Sequence, residues 1–182
     1  MLQIPDSVVQ EIEQAIAMHP PERGGALLRP IGAPIITHFI FDNTAQTTGS
    51  TYKPSLQLTQ RVQELEIKQG IELKGMIHSH PGSFDRLSSF DKDAILEALN
   101  LNPHIPCLYA PIIATKAVSQ GLGDHELSLS NSKKISCYVV HRQDSGLRVE
   151  TIAIKQISEE ELTQMQLDMR SPAALPNPLL ND

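Results

Sequence analysis

His78 and His80, separated by Ser79 and followed by Pro81, are the residues whose type and spacing point most directly to chemistry. On a strand, residues i and i+2 face the same side, so the two imidazoles stand together, at a spacing a single zinc ion bridges with bonds of about 2.0–2.1 Å. Pro81 ends the strand and leaves the pair at its C-terminal end, where α/β sheets commonly hold their sites. The loop Gly82–Leu87 then returns the chain to Ser88, placed to cap a helix, and Asp91 falls in that helix's first turn. The positive end of the helix dipole keeps a carboxylate there ionised and available as a third ligand. Two His and one Asp leave a fourth tetrahedral position open, the layout of a catalytic zinc rather than a structural one. Asp85, in the loop, and Asp93, facing elsewhere on the helix, are the weaker candidates for third ligand. The Ser88 hydroxyl can serve as cap and still donate to an oxyanion; Ser83 and Ser89 have no comparable claim.

A hydrolytic zinc site also needs a base for the water proton. Glu22 is the candidate, because Pro20-Pro21 before it and Gly24-Gly25 after it hold it at the start of a strand. Glu11 and Glu13 read better as the solvated face of a helix.

With these residues in place the chain resembles the JAMM (MPN-plus, or JAB) metalloproteases. The shared pattern is His-x-His, seven residues, Ser, two residues, Asp, with Ser79 and Pro81 matching the family's His-Ser-His-Pro run and Glu22 supplying the upstream acid. The resemblance covers about residues 1–157. It implies an α/β fold, a single deaminase-like α/β/α domain whose mixed, curved central sheet is flanked by helices. It also implies one catalytic Zn2+ held by His78, His80 and Asp91, with Glu22 handling the water proton and Ser88 supporting the tetrahedral intermediate. The activity implied is hydrolysis of the amide or isopeptide bond after the C-terminal Gly of a ubiquitin-like protein, in precursor processing or deconjugation. The style is that of bacterial JAB proteins encoded beside ubiquitin-like activating and conjugating enzymes, some in anti-phage systems. Two alternatives stay open: release of a small amino acid or sulfur-carrier adduct, and a non-catalytic MPN scaffold. The scaffold is the poorer reading because no expected ligand is missing.

The elements that must carry these residues are legible by periodicity. Val8, Ile12 and Ile16 give the first helix one buried stripe, opened by a Ser7-x-x-Gln10 capping box and stopped by Pro20-Pro21. Residues 24–28 and 35–41 read as strands around a Pro30–Pro34 turn, and 44–52 as a loop. Leu58, Val62 and Leu65 mark a helix over 55–69 that Gly70 ends. Residues 73–80 form the motif strand, and 88–99 a helix carrying Ile95 and Leu99. Residues 105–114 read as one strand, and 135–141 with 147–157 as an antiparallel pair turning at Asp144-Ser145-Gly146. The polar segment 115–134 reads as an insertion loop, a wall of the site together with 44–52. After residue 157 an acidic helix to about Met169 and a Pro-containing flexible tail are expected.

Composition removes other functions. The 182 residues suit one domain, and 40% apolar content suffices for a core. A net charge of −6 argues against a nucleic-acid partner, and 4% aromatics without Trp against a stacking platform. Cys107 and Cys137 form no CxxC pair, and Cys107 reads as a small buried hydrophobe. Zinc deaminases need HxE and PCxxC, both absent here. No apolar run reaches membrane-spanning length and the first residues are acidic, so no membrane partner and a cytoplasmic location are expected. His19, His38, His104, His125 and His141 read as ordinary surface or satisfied residues.

Overall fold

The computed structural model describes residues 1–17, 22–47, 51–116, 122–144 and 146–170. In chain order the elements are β1 (Leu2–Pro5), α1 (Asp6–Ile12, continued by a π-helical turn Glu13–Ala17), β2 (Gly24–Pro30), β3 (His38–Phe41), β4 (Gln46–Thr47) and β5 (Tyr52–Lys53). They continue with α2 (Leu56–Gln69), β6 (Ile71–His80), α3 (Ser89–Leu101), β7 (Cys107–Tyr109), β8 (Ile112–Ala114) and β9 (Glu126–Ser128). β10 (Lys134–Ser136), β11 (Tyr138–Gln143), β12 (Gly146–Thr151), β13 (Ile154–Ile157) and α4 (Glu159–Arg170) complete them.

The motif strand β6 is the hinge of the sheet. β2 runs antiparallel along one flank, with β3 beyond it. On the other flank β7 and β8 both run parallel to β6, β7 at Gly75 and β8 at His78–His80. Residues 105–114 are therefore two strands rather than the single one expected. Pro111 cannot donate to a ladder, and the chain breaks there. One branch continues from β7 to β11 and β12, the other from β8 to β10 and β9. The same division splits 135–141 at Cys137, whose N–H donates to the carbonyl of His125 rather than to a neighbouring strand.

Residue alternation along the strands sorts the layers. Leu27, Ile77 and Ile113 pack with the α1 stripe Val8, Ile12 and Ile16. Ala26 and Leu28 face α2, while Leu108 and Ile112 face α3. Helices thus cover both faces of a mixed, curled sheet, as the α/β/α expectation had it. The helix ends are local chemistry: Ser55 Oγ accepts the Leu58 N–H at 3.1 Å, and Gly70 closes α2 at φ 65°, the left-handed conformation glycine tolerates.

Several local expectations are corrected. Ser7 does not cap α1: β1 runs straight into the helix through Pro5, which takes the N-cap position without a side-chain bond. The Ser7 N–H donates instead to Glu159 Oε1 at 3.0 Å, so α4 supplies the acceptor. Residues 2–5 are a strand because β13 pairs with them in parallel, and 147–157 is accordingly β12 plus β13. The 44–52 loop contributes to a two-stranded ribbon, β4 with β5. Within 115–134, β9 joins the sheet through β10, so that part of the expected insertion is structured; 117–121 lie outside the described residues. Residues 171–182, the expected tail, also lie outside them, as does His19. Among the described residues no helix is long and apolar enough to cross a membrane.

Candidate metal centre

His78 and His80 project from the last turn of pleat in β6 onto the face shared with α2 and α3, and both are buried. Asp91 reaches the same point from the first turn of α3 and is also buried. The two imidazole Nε2 atoms lie 2.9 Å apart. Asp91 Oδ1 is 3.0 Å from His78 Nε2, and its Oδ2 is 3.3 Å from His80 Nε2. Among the described residues these three form a group whose donor atoms all lie within 4.8 Å of one another, so they can hold a metal ion. The donor set fits a divalent cation of borderline softness: two imidazole nitrogens and one carboxylate.

Electrostatics favour the ligand forms of His78 and Asp91. Burial lowers the His78 pKa against the raising effect of Asp91, so the imidazole is neutral. Burial alone would raise Asp91, but hydrogen bonds from His78, His80 and Ser88 overcome it and hold the carboxyl far below its ordinary range. Asp91 also completes a capping box. Ser88 Oγ accepts the Asp91 N–H at 3.2 Å, and the Ser88 N–H donates to Asp91 Oδ2 at 2.6 Å. The helix cap and the third donor are one side chain, so the start of α3 is tied to the histidines. Of the rival acids, Asp93 is exposed on α3. Asp85 is engaged by Lys134 Nζ at 2.8 Å, and its carbonyl accepts the Tyr138 hydroxyl at 2.9 Å.

Glu22 is brought to this cluster by strand pairing. A bulge between Leu27 and Leu28 leaves Lys74 without a partner on β2 and sets Gly24 directly opposite His78. Ser79, between the two histidines, stitches the approach: its N–H donates to the Arg23 carbonyl at 2.8 Å and its Oγ accepts the Arg23 N–H at 3.1 Å. Glu22 is only 5% exposed. Burial raises its pKa from 4.5 to about 7, nearby His80 opposing and the negative charge of Asp91 reinforcing the rise. Glu11 is exposed, whereas Glu13 is tied to the Ser130 N–H at 2.6 Å.

The raised Glu22 pKa has a consequence for the metal-free protein. Glu22 holds its proton more tightly folded than unfolded, so it costs nothing below pH 4.5 and destabilises the fold as pH rises through about 7. The full cost is on the order of 1–3 kcal/mol. Chemical denaturation of metal-free wild type and Glu22→Gln at pH 5 and pH 8 should show the variant gaining relative stability at the higher pH. Equal stability differences at the two pH values would contradict the assignment.

Three further groups lie at the site without a signal in the spacing pattern. Tyr52 stacks on His78 with ring centroids 5.8 Å apart and planes 17° apart. Phe84, from the motif loop, stacks on His80 at 5.1 Å and is half exposed. Thr115 Oγ1 donates to the His80 carbonyl and accepts the Gly82 N–H, both at 3.1 Å, and so fastens the end of β6 to the loop. The buried Nδ1 of His80 has no hydrogen-bond partner among the described residues, leaving ring packing to orient that imidazole. Of the two expected walls, 44–52 contributes Tyr52, and 115–134 contributes Thr115. Aromatic side chains in loops could have been flagged as candidates, but nothing local says which ring reaches which histidine.

Comparison with known proteins bears on family and fold. A family model described as prokaryotic homologues of the JAB domain matches residues 5–123. The chain is similar to the solution structure of protein DSY2949 from Desulfitobacterium hafniense, with a TM-score of 0.57 and 17% identity over 88% of this chain and 97% of that one. It also matches the crystal structure of AF2198, a JAB1/MPN domain protein from Archaeoglobus fulgidus, at a TM-score of 0.44 and 16% identity over 85% of this chain and 98% of that one. Among curated proteins none matches.

Proposed function

The chain belongs to the prokaryotic JAB-domain family, and on that premise we propose that it is a zinc-dependent peptidase cleaving the amide or isopeptide bond after the C-terminal Gly of a ubiquitin-like protein. The observation that carries this reading is the buried His78–His80–Asp91 donor group with a second buried acid, Glu22, whose pKa lies near neutrality beside it. Structural carboxylates are seldom held there; a general base for hydrolysis needs to be.

Zinc bound by His78, His80 and Asp91 would supply a Lewis acid for the scissile carbonyl and make water a better nucleophile. Glu22 takes the proton of the attacking water on its carboxylate and then passes it to the leaving amine. Ser88 keeps its hydroxyl hydrogen free while its oxygen accepts the Asp91 N–H, so it can donate to the oxyanion. Asp91 stays ionised throughout. The exposed rings of Phe84, within the loop that joins the ligands, and Phe90, in the first turn of α3, offer apolar contact to an extended tail. We place the enzyme in the cytoplasm with the activating and conjugating enzymes of the same modifier system; the unpaired thiols of Cys107 and Cys137 support a reducing compartment.

The test is a ubiquitin-like protein carrying a C-terminal peptide extension, incubated with the zinc-loaded chain and followed by mass spectrometry. Cleavage after the terminal Gly, lost on adding a chelator and restored by zinc, is the expected outcome. Zinc-loaded protein that leaves a panel of such fusions and conjugates intact would rule the substrate class out.

A further inference from the structure

The two histidines sit in a row of four rings: Tyr52 on His78, His78 edge-on to His80 at 4.7 Å, and His80 on Phe84. Among the described residues, only the Tyr52 end is anchored by a hydrogen bond. Its hydroxyl donates to Asp42 Oδ2 at 3.3 Å, and Asp42 is itself buried and clamped to the start of α2 by the Ser55 N–H (2.7 Å) and Ser55 Oγ (2.6 Å). The strand opposite His78 makes room for that ring. Gly24 is the cross-strand partner of His78, and a Cβ added there would lie 2.6 Å from Cε1 and Cζ of Tyr52. The tyrosine thus fills the space that a neighbouring side chain on the sheet would otherwise occupy.

An imidazole held at one nitrogen still swings about its Cβ–Cγ bond, and ligand precision depends on groups that lock that rotation. We infer that Tyr52 is a positioning residue for the metal centre, its Asp42-anchored ring fixing the plane in which His78 presents Nε2. The consequence is a mechanical link from the N-terminus of α2 to the metal, running through Asp42 and Tyr52. β4 and β5 are not part of the main sheet, so it is this anchor, rather than sheet pairing, that ties the ribbon to the site.

The inference rests on the zinc reading above, and the experiment separates the two. Wild type, Tyr52→Phe and Tyr52→Leu are titrated with zinc against a chromophoric chelator, and the metal-free unfolding midpoint of each is recorded. Tyr52→Phe keeps the stacked face but loses the Asp42 anchor, and should weaken zinc by about 3–10-fold, between wild type and Tyr52→Leu. Tyr52→Leu keeps apolar bulk but no flat face and should weaken zinc by about 10–100-fold, the range seen when outer partners of metal ligands are removed. With Co2+ in place of zinc, the visible bands should change in Tyr52→Leu and shift less in Tyr52→Phe. If Tyr52→Leu does not fold, Tyr52→Met replaces it. A folded Leu or Met variant with wild-type zinc affinity and unchanged Co2+ bands overturns the inference. Wild type that binds neither ion overturns the metal reading beneath it.

Discussion

Glu22→Gln should lower the turnover of a cleavable ubiquitin-like fusion by about 10²–10⁴-fold, the usual contribution of a general base, while one zinc per chain is retained. Glutamine matches glutamate in shape, so the stitching of Arg23 to Ser79 and the Gly24–His78 register survive. What is lost is the proton acceptor. The carboxyl is poised to act because burial lifts it to about 7, close to the pH at which it must both take and return a proton. No ligand of the metal is altered, so metal analysis of the same preparation should read as in wild type. A variant with normal kcat removes Glu22 from the mechanism. A variant that loses zinc as well would make it a ligand rather than a base.

Asp91→Ala should have the second large effect, and on two quantities at once. Deleting the carboxylate removes a metal donor and the acceptor of the Ser88 N–H. Zinc affinity should fall by more than about 100-fold, beyond what loss of an outer-sphere partner costs. The metal-free fold should lose about 1 kcal/mol from the broken capping box. Ser88→Ala separates these: it gives up a comparable capping contribution yet leaves His78, His80 and Asp91 able to bind zinc. Thermal unfolding without metal and chelator competition with it read the two terms independently. The linkage has a definite sign. The Asp91 pKa is depressed by folding, so its stabilisation is present above its unfolded value of 3.8 and lost as pH falls through the lower folded value. At neutral pH the full difference between wild type and Asp91→Ala should therefore be seen. If Asp91→Ala binds zinc like wild type, the third ligand lies elsewhere.

How much of this was readable beforehand follows the range of each interaction. Ser88 as a cap, Gly70 as a stop and the burial of Leu58, Val62 and Leu65 depend on residues within one or two turns, and the structure has them. Ser7 carried the same type of local signal and failed, because Pro5 leads β1 directly into α1 and Glu159 arrives from the far end of the chain. Pro111 was visible in the sequence, yet its effect was not: a break in one strand became a fork because two different branches were waiting to pair.

The sequence by itself determined the pairing of His78 with His80 on one strand face and the placement of Asp91 in the first turn after Ser88. Strand and helix periodicities of two and 3.6 are properties of the local backbone. Only the tertiary structure decided that Glu22 lies beside them with its proton held near neutrality, that Tyr52 takes the space above Gly24, and that Phe84 covers His80. Those placements come from the bulged register of β2 on β6 and from burial, which are set by backbone pairing between distant segments and leave no local pattern to read.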